Sequence, residues 1–487
     1  MTILEVLAKR AAHRGGHPFL RHEGQTLSYA EFDRAATRAA RALAAAGVVS
    51  GDRVTLALGN SLDYVVAAFA VLKAGAILHP VNPALGEGEL RYVLEHAAPR
   101  VVVTDEASDA RLRALGQATV LGRALTAPGD ESPLDVAIGP ETYSTLLYTS
   151  GTTGRPKGVL FTHGRTGTSG PHFIEALGLT GDDTLLAVTP LFHGNAWGAV
   201  VTALYAGGTV AFAKGFSASQ FWPLVHEVGA SVLYTLGTVL AMLLTREPSP
   251  LERTNPLRII LGLGSAPIRE RIIERFGVTD VLECFGSTDA GVVTITPRGV
   301  PPRPGSCGPA VPGVRIKVVD EDGRTLPPRE VGEIAIESPA RMACYYRDEA
   351  ATRAALRDGW FYTGDLGYLD EDGWLYFVDR KRDVIRRGGE NVSSVLVEKA
   401  IREHPQVAEV AVIGVPDPVL GQEIKAYVVR SGPVGEEELR AFAAARLAKF
   451  QVPRLWEFRA SLPKTPTQRV EKYKLRAEHD DGKPRLG

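Results

Sequence analysis

Between residues 53 and about 286, short β-rich runs alternate with stretches that are apolar at helical spacing, and this alternation limits the fold more than any other feature. The runs "RVTLALG", "RVVVTD", "STLLYTS", "TLLAVTP", "TVAFAK", "LRIILGL" and "VLECFG" carry apolar residues on both faces. Between them, "SLDYVVAAFAVLKAG" and "PIRERIIERFG" follow the helical period. A strand without a polar face must be covered on both sides, so parallel sheets flanked by helices are expected. Ligands in such folds collect at the carboxyl ends of the strands.

The punctuation changes at "TPRGVPPRPGSCGPAVPG", 296 to 313. Beyond it, "VRIKVVD", "GEIAIES" and "GWLYFVD" read as short strands joined by "EDG" turns, a small β-barrel or sandwich over about 297–378. After Asp379 a mixed pattern returns, with "SSVLVEKAIREH" and "EEELRAFAAARLAKF" as helices and "EVAVIGV" and "IKAYVVR" as strands. The expected fold class is therefore α/β: a large N-terminal domain over 1–381, comprising helix-covered sheets and the barrel, then a small α+β domain over 382–487. A length of 487 residues is ample for this, since domains average roughly 150.

A formal net charge of -1 argues against a nucleic-acid or membrane surface as partner and favours small molecules. Three cysteines, Cys284, Cys307 and Cys344, show neither paired spacing nor a neighbouring His cluster, which disfavours a disulfide framework and a structural zinc. No signal-like or membrane-spanning apolar run occurs, so a cytoplasmic protein is expected.

The stretch "LLYTSGTTGRPKGV", 146 to 159, follows a strand and packs Gly, Ser/Thr and a Lys into one turn. Backbone N–H groups freed of side chains can close on phosphate oxygens, hydroxyls add donors, and Lys157 adds a point charge. The spacing is not that of a Walker loop. By composition alone it could be a flexible surface loop, but the order of its residues points further. "YTSGTTGRPKG" resembles the signature loop of the adenylate-forming superfamily, which includes acyl-CoA synthetases, peptide-synthetase adenylation domains and luciferases. "TPLFHGNAWG", "GLGSAP", "CFGSTDAG", "WFYTGDLG" and "DRKRDVIRRGGENVSS" follow in that family's order, over nearly the whole chain.

The resemblance implies two half-reactions. A carboxylate attacks the α-phosphorus of ATP and expels pyrophosphate, and a thiol then displaces AMP from the acyl-adenylate. It further implies that Thr149, Ser150, Gly151, Thr152, Thr153 and Lys157 wrap the β- and γ-phosphates. Gly264, Ser265, Ala266 and Pro267 would border adenine, with Phe285 stacked on the base and Gly286, Ser287 and Thr288 alongside. Asp365 and Arg380 would hold the ribose hydroxyls. Asp289 stands where the family usually has Glu as the magnesium ligand, one methylene shorter. Read without the resemblance, "GSAP" is a capped helix start and Asp365 a turn former.

His193 follows Phe192 at the position where relatives place an aromatic or His that gates the acid pocket and approaches the carboxylate. Amino-acid-activating relatives tend to have Asp there, so an α-amino acid is not expected. The acid pocket would be lined by His193, Asn195, Trp197, Tyr234, Gly262 and Gly291, largely uncharged, which favours an apolar or aromatic acid. Trp197 could equally be plain core. Gly388, Gly389 and Glu390 would line the channel for CoA, and Arg382 falls at the hinge of the C-terminal lid, where its alternative is a solvated linker charge.

The basic run "PKTPTQRVEKYKLR" has the composition of a loose tail. In relatives a similar segment carries a lysine that reaches the carboxylate and α-phosphate. Register sets Arg469 in that place, with Lys472 as the alternative. The implied enzyme is an ATP-dependent, magnesium-requiring acyl-CoA synthetase acting on a small carboxylic acid, with a homodimer left open. The alternatives are another acceptor or oxyanion, such as a carrier protein or nitrite, and a nucleotide-binding protein without full ligase activity.

Overall fold

The structure is a computed structural model and describes residues 1–125, 127–149, 156–265, 268–381, 383–387, 390–464 and 470–481. Its described residues form two compact units, one within Met1–Gly151, Arg155–Ile316 and Ile336–Phe361, the other within Lys317–Ala335 and Tyr362–Gly487.

The first unit holds two seven-stranded sheets. One runs, edge to edge, Asp280–Leu282, Ile259–Leu263, Val232–Leu236, Thr184–Ala187, Thr209–Phe212, Pro18–His22 and Gln25–Ser28. Its neighbours are parallel except for the closing hairpin. The other runs Cys344–Tyr345, Lys157–Thr162, Tyr143–Thr149, Ile77–Pro80, Arg53–Ala57, Val101–Thr104 and Thr119–Leu121, parallel from Tyr143–Thr149 onward. Helices cover these sheets as the two-faced apolar runs require: Leu233 and Ile260 pack with Trp222, Val225, Leu243 and Phe276. The helix Leu62–Lys73 starts where the Ser61 hydroxyl accepts the Tyr64 N–H, and its nine central residues are buried all round.

The run "VLECFG" is not one strand but two, Asp280–Leu282 and Cys284–Ser287. The break falls at Glu283, whose carboxylate accepts the Gly264 N–H at 2.6 Å. A charged side chain inside an apolar run has to find such a partner, and finding it takes Glu283 out of the ladder.

The strand Trp360–Leu369 enters the second unit at Tyr362, and there Asp365 to Leu369 pair antiparallel with Leu375–Arg380, setting Asp365 opposite Arg380. The "EDG" turn joins them, with Gly373 at φ +78 and Asp370 accepting the Asp372 and Trp374 N–H groups. Farther on, the order is Glu390–Val392, Ile385–Arg387, Gly421–Arg430, Val407–Asp417, with Leu455–Arg459 parallel to Gly421–Arg430. Strand alternation splits the core: Val410, Val412 and Ile424 meet Val397 and Ile401 on one face, while Ala411, Ile413 and Tyr427 meet Leu475 on the other. The second predicted helix stops early, at Glu436–Ala444, followed by a short 3-10 turn at Lys449–Gln451. The end of the basic run is no loose tail. Val470 bridges to Lys464, and the helix Lys472–Asp481 buries Leu475 completely.

Candidate active site

The strands Tyr143–Thr149 and Lys157–Thr162 form a hairpin in which Thr149 pairs with Lys157. Ser150, Gly151, Thr152 and Thr153 lie outside the described residues. The Lys157 ammonium stands 5.0 Å from the ring centroid of Tyr345, a residue that strand pairing sets opposite Val159. The Tyr345 hydroxyl is hydrogen-bonded to Asp289, and burial together with that carboxylate pushes its pKa up. One ring therefore joins Lys157 to Asp289. Sequence reading missed Tyr345, which local pattern does not distinguish from its neighbour Tyr346.

Asp289 is half-buried in the turn between Cys284–Ser287 and Gly291–Ile295, where its carbonyl accepts the Met342 N–H at 2.7 Å. Among the described residues no group of three or more His, Cys, Asp or Glu side chains gathers to hold a metal. A single carboxylate at a solvent-reachable turn suits Mg²⁺, which keeps waters and takes its remaining ligands from phosphate oxygens. Phe285, Gly286 and Ser287 are half-buried on the first strand of this hairpin and Thr288 is exposed. A Cβ at Gly286 would come within 2.4 Å of the Gly291 carbonyl oxygen, and Gly291 itself has φ +71, so both glycines are required by the backbone.

At the end of Ile259–Leu263, Gly264 turns with φ +77 and Ser265 is buried. The Ser265 hydroxyl donates to the Gly262 carbonyl at 2.8 Å, and Glu283 holds the Gly264 N–H. This turn is therefore fixed before any ligand arrives. A Cβ on Gly262 would press on Leu240 and Ser265, so that glycine serves close packing. Ala266 and Pro267 lie outside the described residues.

His193 precedes the helix Gly194–Ala206, its ring tilted against Phe192 at 4.6 Å. Its Nε2 is buried and has no hydrogen-bond partner among the described residues, and burial lowers its pKa to about 4. At neutral pH it is thus an uncharged imidazole with one unused nitrogen. Asn195 accepts from the Thr189 hydroxyl at 3.0 Å and donates to the Thr235 carbonyl at 3.4 Å, tying two strand ends together. Trp197 meets Phe69 at 5.8 Å. Tyr234 is fully buried, with its hydroxyl on Thr202 and its ring edge-on to Phe173 at 5.5 Å, so in this structure it belongs to the core.

In the second unit, Asp365 is buried and lies 3.3 Å from the Arg380 guanidinium. Next to it Asp379, also buried, accepts from Ser394 N–H and hydroxyl at 2.6 and 2.9 Å and from the Ser393 hydroxyl at 3.2 Å. It thereby fastens the Arg380 strand to the N-terminus of helix Ser394–Arg402, where a negative charge is favoured. Arg382, Gly388 and Gly389 lie outside the described residues, and Glu390 is exposed. Arg387, just before the two glycines, makes a two-pronged pair with buried Glu423 at 2.6 and 2.8 Å. Arg469 lies outside the described residues. The Lys472 ammonium is occupied, 2.8 Å from Glu398 and 2.6 Å from the Ser394 hydroxyl.

Two family models match the chain: AMP-binding enzyme over residues 7–346, and AMP-binding enzyme C-terminal domain over 396–469. The chain belongs to the AMP-binding enzyme family. It is 34% identical to a feruloyl-CoA synthase of Amycolatopsis sp., over 94% of this chain and 95% of that one. It is 33% identical to the fatty acid–[acyl-carrier-protein] ligase ScoC of Streptomyces coeruleorubidus, over 98% and 96%. Among solved structures it resembles o-succinylbenzoate CoA synthetase (MenE) from Bacillus subtilis, at 30% identity. The complex with the acyl-adenylate OSB-AMP superimposes with a TM-score of 0.89 over 99% of each chain. The complex with ATP and a magnesium ion does so at 0.88, over 96% of this chain and 98% of the other. The family is one of AMP-forming ligases, and the helix-covered sheets with a small C-terminal unit are its architecture. Among the described residues no helix is long and apolar enough to cross a membrane.

Proposed function

We propose that this chain is an ATP-dependent acyl-CoA ligase acting on an apolar or aromatic carboxylic acid. The observation that carries the reading is the pairing of Lys157 and Asp289 through the Tyr345 ring at the end of the glycine-rich hairpin: a phosphate-directed cation and a metal-directed carboxylate, one ring apart. Full-length similarity to CoA-forming relatives supports the acceptor.

A thiol cannot convert a carboxylate to a thioester directly, because the acyl carbon would have to expel oxide. Attack of a carboxylate oxygen on the α-phosphorus, with pyrophosphate leaving, converts that oxide into part of AMP. The thiol sulfur then attacks the acyl carbon, and AMP departs with the oxygen that came from the acid. Such transfers need charge stabilisation and in-line positioning more than covalent help. Lys157 and Thr149 would hold the outer phosphates together with Ser150, Gly151, Thr152 and Thr153. Mg²⁺, when bound through Asp289, would offset charge on the phosphate oxygens. Neutral His193, with a free nitrogen, would orient the carboxylate without forming an ion pair that blunts its nucleophilicity. Gly264, Ser265, Ala266, Pro267 and Phe285 would take adenine, and Asp365 and Arg380 the ribose. Because Lys472 already has partners, Arg469 is assigned the cation that stabilises charge on the α-phosphate, and Lys472 the seating of the final helix.

The division at 381/382 with Arg382 as hinge, a CoA channel at Gly388, Gly389 and Glu390, a cytoplasmic location and a homodimer belong to the same proposal. A carrier protein is the second reading of the acceptor, supported by the similarity to an acyl-carrier-protein ligase. The test is pyrophosphate release across a panel of aromatic, aliphatic and charged acids, each with CoA, with a phosphopantetheinylated carrier protein, with nitrite plus an amine, or alone. The reading expects acid-dependent release with thioester formed on CoA. Thioester on the carrier alone selects the second reading, and nucleotide binding without acid-dependent release rejects both.

A further inference from the structure

The helix Glu87–Ala97 places Tyr92 and His96 four residues apart, hence on one face. That face meets the glycine-rich hairpin at both of its described ends. His96 Nδ1 lies 2.6 Å from the Tyr148 hydroxyl, on the strand that enters the loop. The Tyr92 hydroxyl donates to the Pro156 carbonyl at 3.3 Å, on the side where the chain leaves it. The two rings stack at 5.8 Å, so they hold each other. Around them, the Tyr148 ring lies 5.1 Å from buried His79, and Tyr346 meets His96 edge-on at 5.7 Å. The Arg347 guanidinium donates to the His96 carbonyl at 3.0 Å, capping the helix end where a cation is favoured. Burial and Arg347 both lower the pKa of His96, outweighing Asp348, which keeps the imidazole neutral beside Tyr148.

A glycine-rich segment that grips phosphate through its backbone has a large conformational entropy to lose. Fixing its ends reduces that loss before ATP binds. We propose that Tyr92 and His96 are positioning residues for ATP: a two-point brace that fixes the strand ends at Tyr148 and Pro156, between which the phosphate loop runs. This rests on the functional reading above. Both act through Tyr148 and Pro156, and neither lies in a segment that resembles a family motif.

The test measures steady-state pyrophosphate release in His96→Leu, Tyr148→Phe, Tyr92→Phe and the double variant His96→Leu/Tyr148→Phe. Affinity for a non-hydrolysable ATP analogue is measured by calorimetry alongside. Each single variant should raise KM for ATP about fivefold, the worth of one neutral hydrogen bond, with KM for the acid unchanged. The double variant should be no worse than His96→Leu, because both break the same bond, whereas His96→Leu/Tyr92→Phe should lose more than either single variant, because two bonds are broken. His96→Asn, which puts an amide oxygen near the place of Nδ1, should recover most of the ATP affinity. Equal losses in KM for ATP and acid, additivity of His96→Leu with Tyr148→Phe, or no recovery in His96→Asn would overturn the brace. Wild-type protein without acid-dependent release overturns the functional reading and the brace with it. An active wild type with variant ratios near one overturns the brace alone.

Discussion

The residues assigned to the nucleotide and acid in the first unit and those assigned to the C-terminal unit are held by different physics. In the first unit, apart from Lys157 and Asp289 about the Tyr345 ring, the fixing contacts are hydrogen bonds at strand ends: Asn195 between Thr189 and Thr235, Ser265 on Gly262, and the Gly264 N–H on the Glu283 carboxylate. In the second unit, beside the Asp379 bonds to Ser393 and Ser394, the contacts are ion pairs: Asp365 with Arg380, Arg387 with Glu423, Lys472 with Glu398 and Arg476 with Asp383. Neutral contacts at sheet ends form when the sheet forms and respond little to salt. Half-buried ion pairs depend on both partners and cost heavily when one is removed. The assigned residues of the first unit thus take their geometry from topology, and those of the second take theirs from charge.

The comparison is broken most severely at the basic run. Arg469→Ala should slow adenylate formation by roughly 10²- to 10³-fold while CoA acylation from preformed adenylate persists. Lys472→Ala should instead lower stability and change adenylation less than tenfold. Single-turnover assays of the two steps, with denaturant unfolding, separate the outcomes; the reverse pattern moves the catalytic cation to Lys472.

Next comes the buried pair before the two glycines. Glu423→Gln leaves Arg387 half-buried without its counter-charge and should cost about 3 kcal/mol in denaturant unfolding. Ser265→Ala, in the first unit, should cost about 1 kcal/mol, the loss of one neutral hydrogen bond. Similar costs at the two positions would erase the distinction between the units.

Asp289→Asn preserves shape and removes charge. It should lower pyrophosphate release by on the order of tenfold and raise the magnesium concentration needed, with ATP-analogue affinity nearly unchanged. Normal turnover with unchanged magnesium dependence contradicts the assignment.

A further contrast is the effect of pH on the first unit. Burial holds His79, His163 and His193 down to about 3, 4 and 4, all neutral in the folded chain. The unfolded chain binds protons at its ordinary pKa of about 6.5. Acidification from pH 6.5 towards 4 therefore favours unfolding, by up to about 1.4 kcal/mol per histidine at pH 5.5. Melting of His163→Gln across this range should show a shallower acid loss than the parent.

The sheets were legible because two-faced apolar runs permit few other arrangements, and the phosphate hairpin because its order of residues is distinctive. What stayed hidden are partnerships made across the chain. Glu283 stands in an apolar run and was read as strand, although its charge there was the clue to a buried acceptor. Tyr345, Asp379 and Glu423 sit in segments whose local pattern says only strand or turn, and their partners lie 56, 15 and 36 positions away at Asp289, Ser394 and Arg387. The helix Glu436–Ala444 ended short although Leu447 beyond it still packs on the same core, and Leu475 made a packed helix of a segment whose composition suggested a tail.

The central claim is that the acid's own oxygen becomes part of AMP. The direct measurement uses a turned-over carboxylic acid labelled with ¹⁸O at both carboxylate oxygens, with ATP, magnesium and CoA, and mass spectrometry of the products. The account predicts AMP carrying one labelled oxygen, a thioester retaining the other, and unlabelled pyrophosphate. Unlabelled AMP, or ADP and phosphate in place of AMP and pyrophosphate, would contradict it.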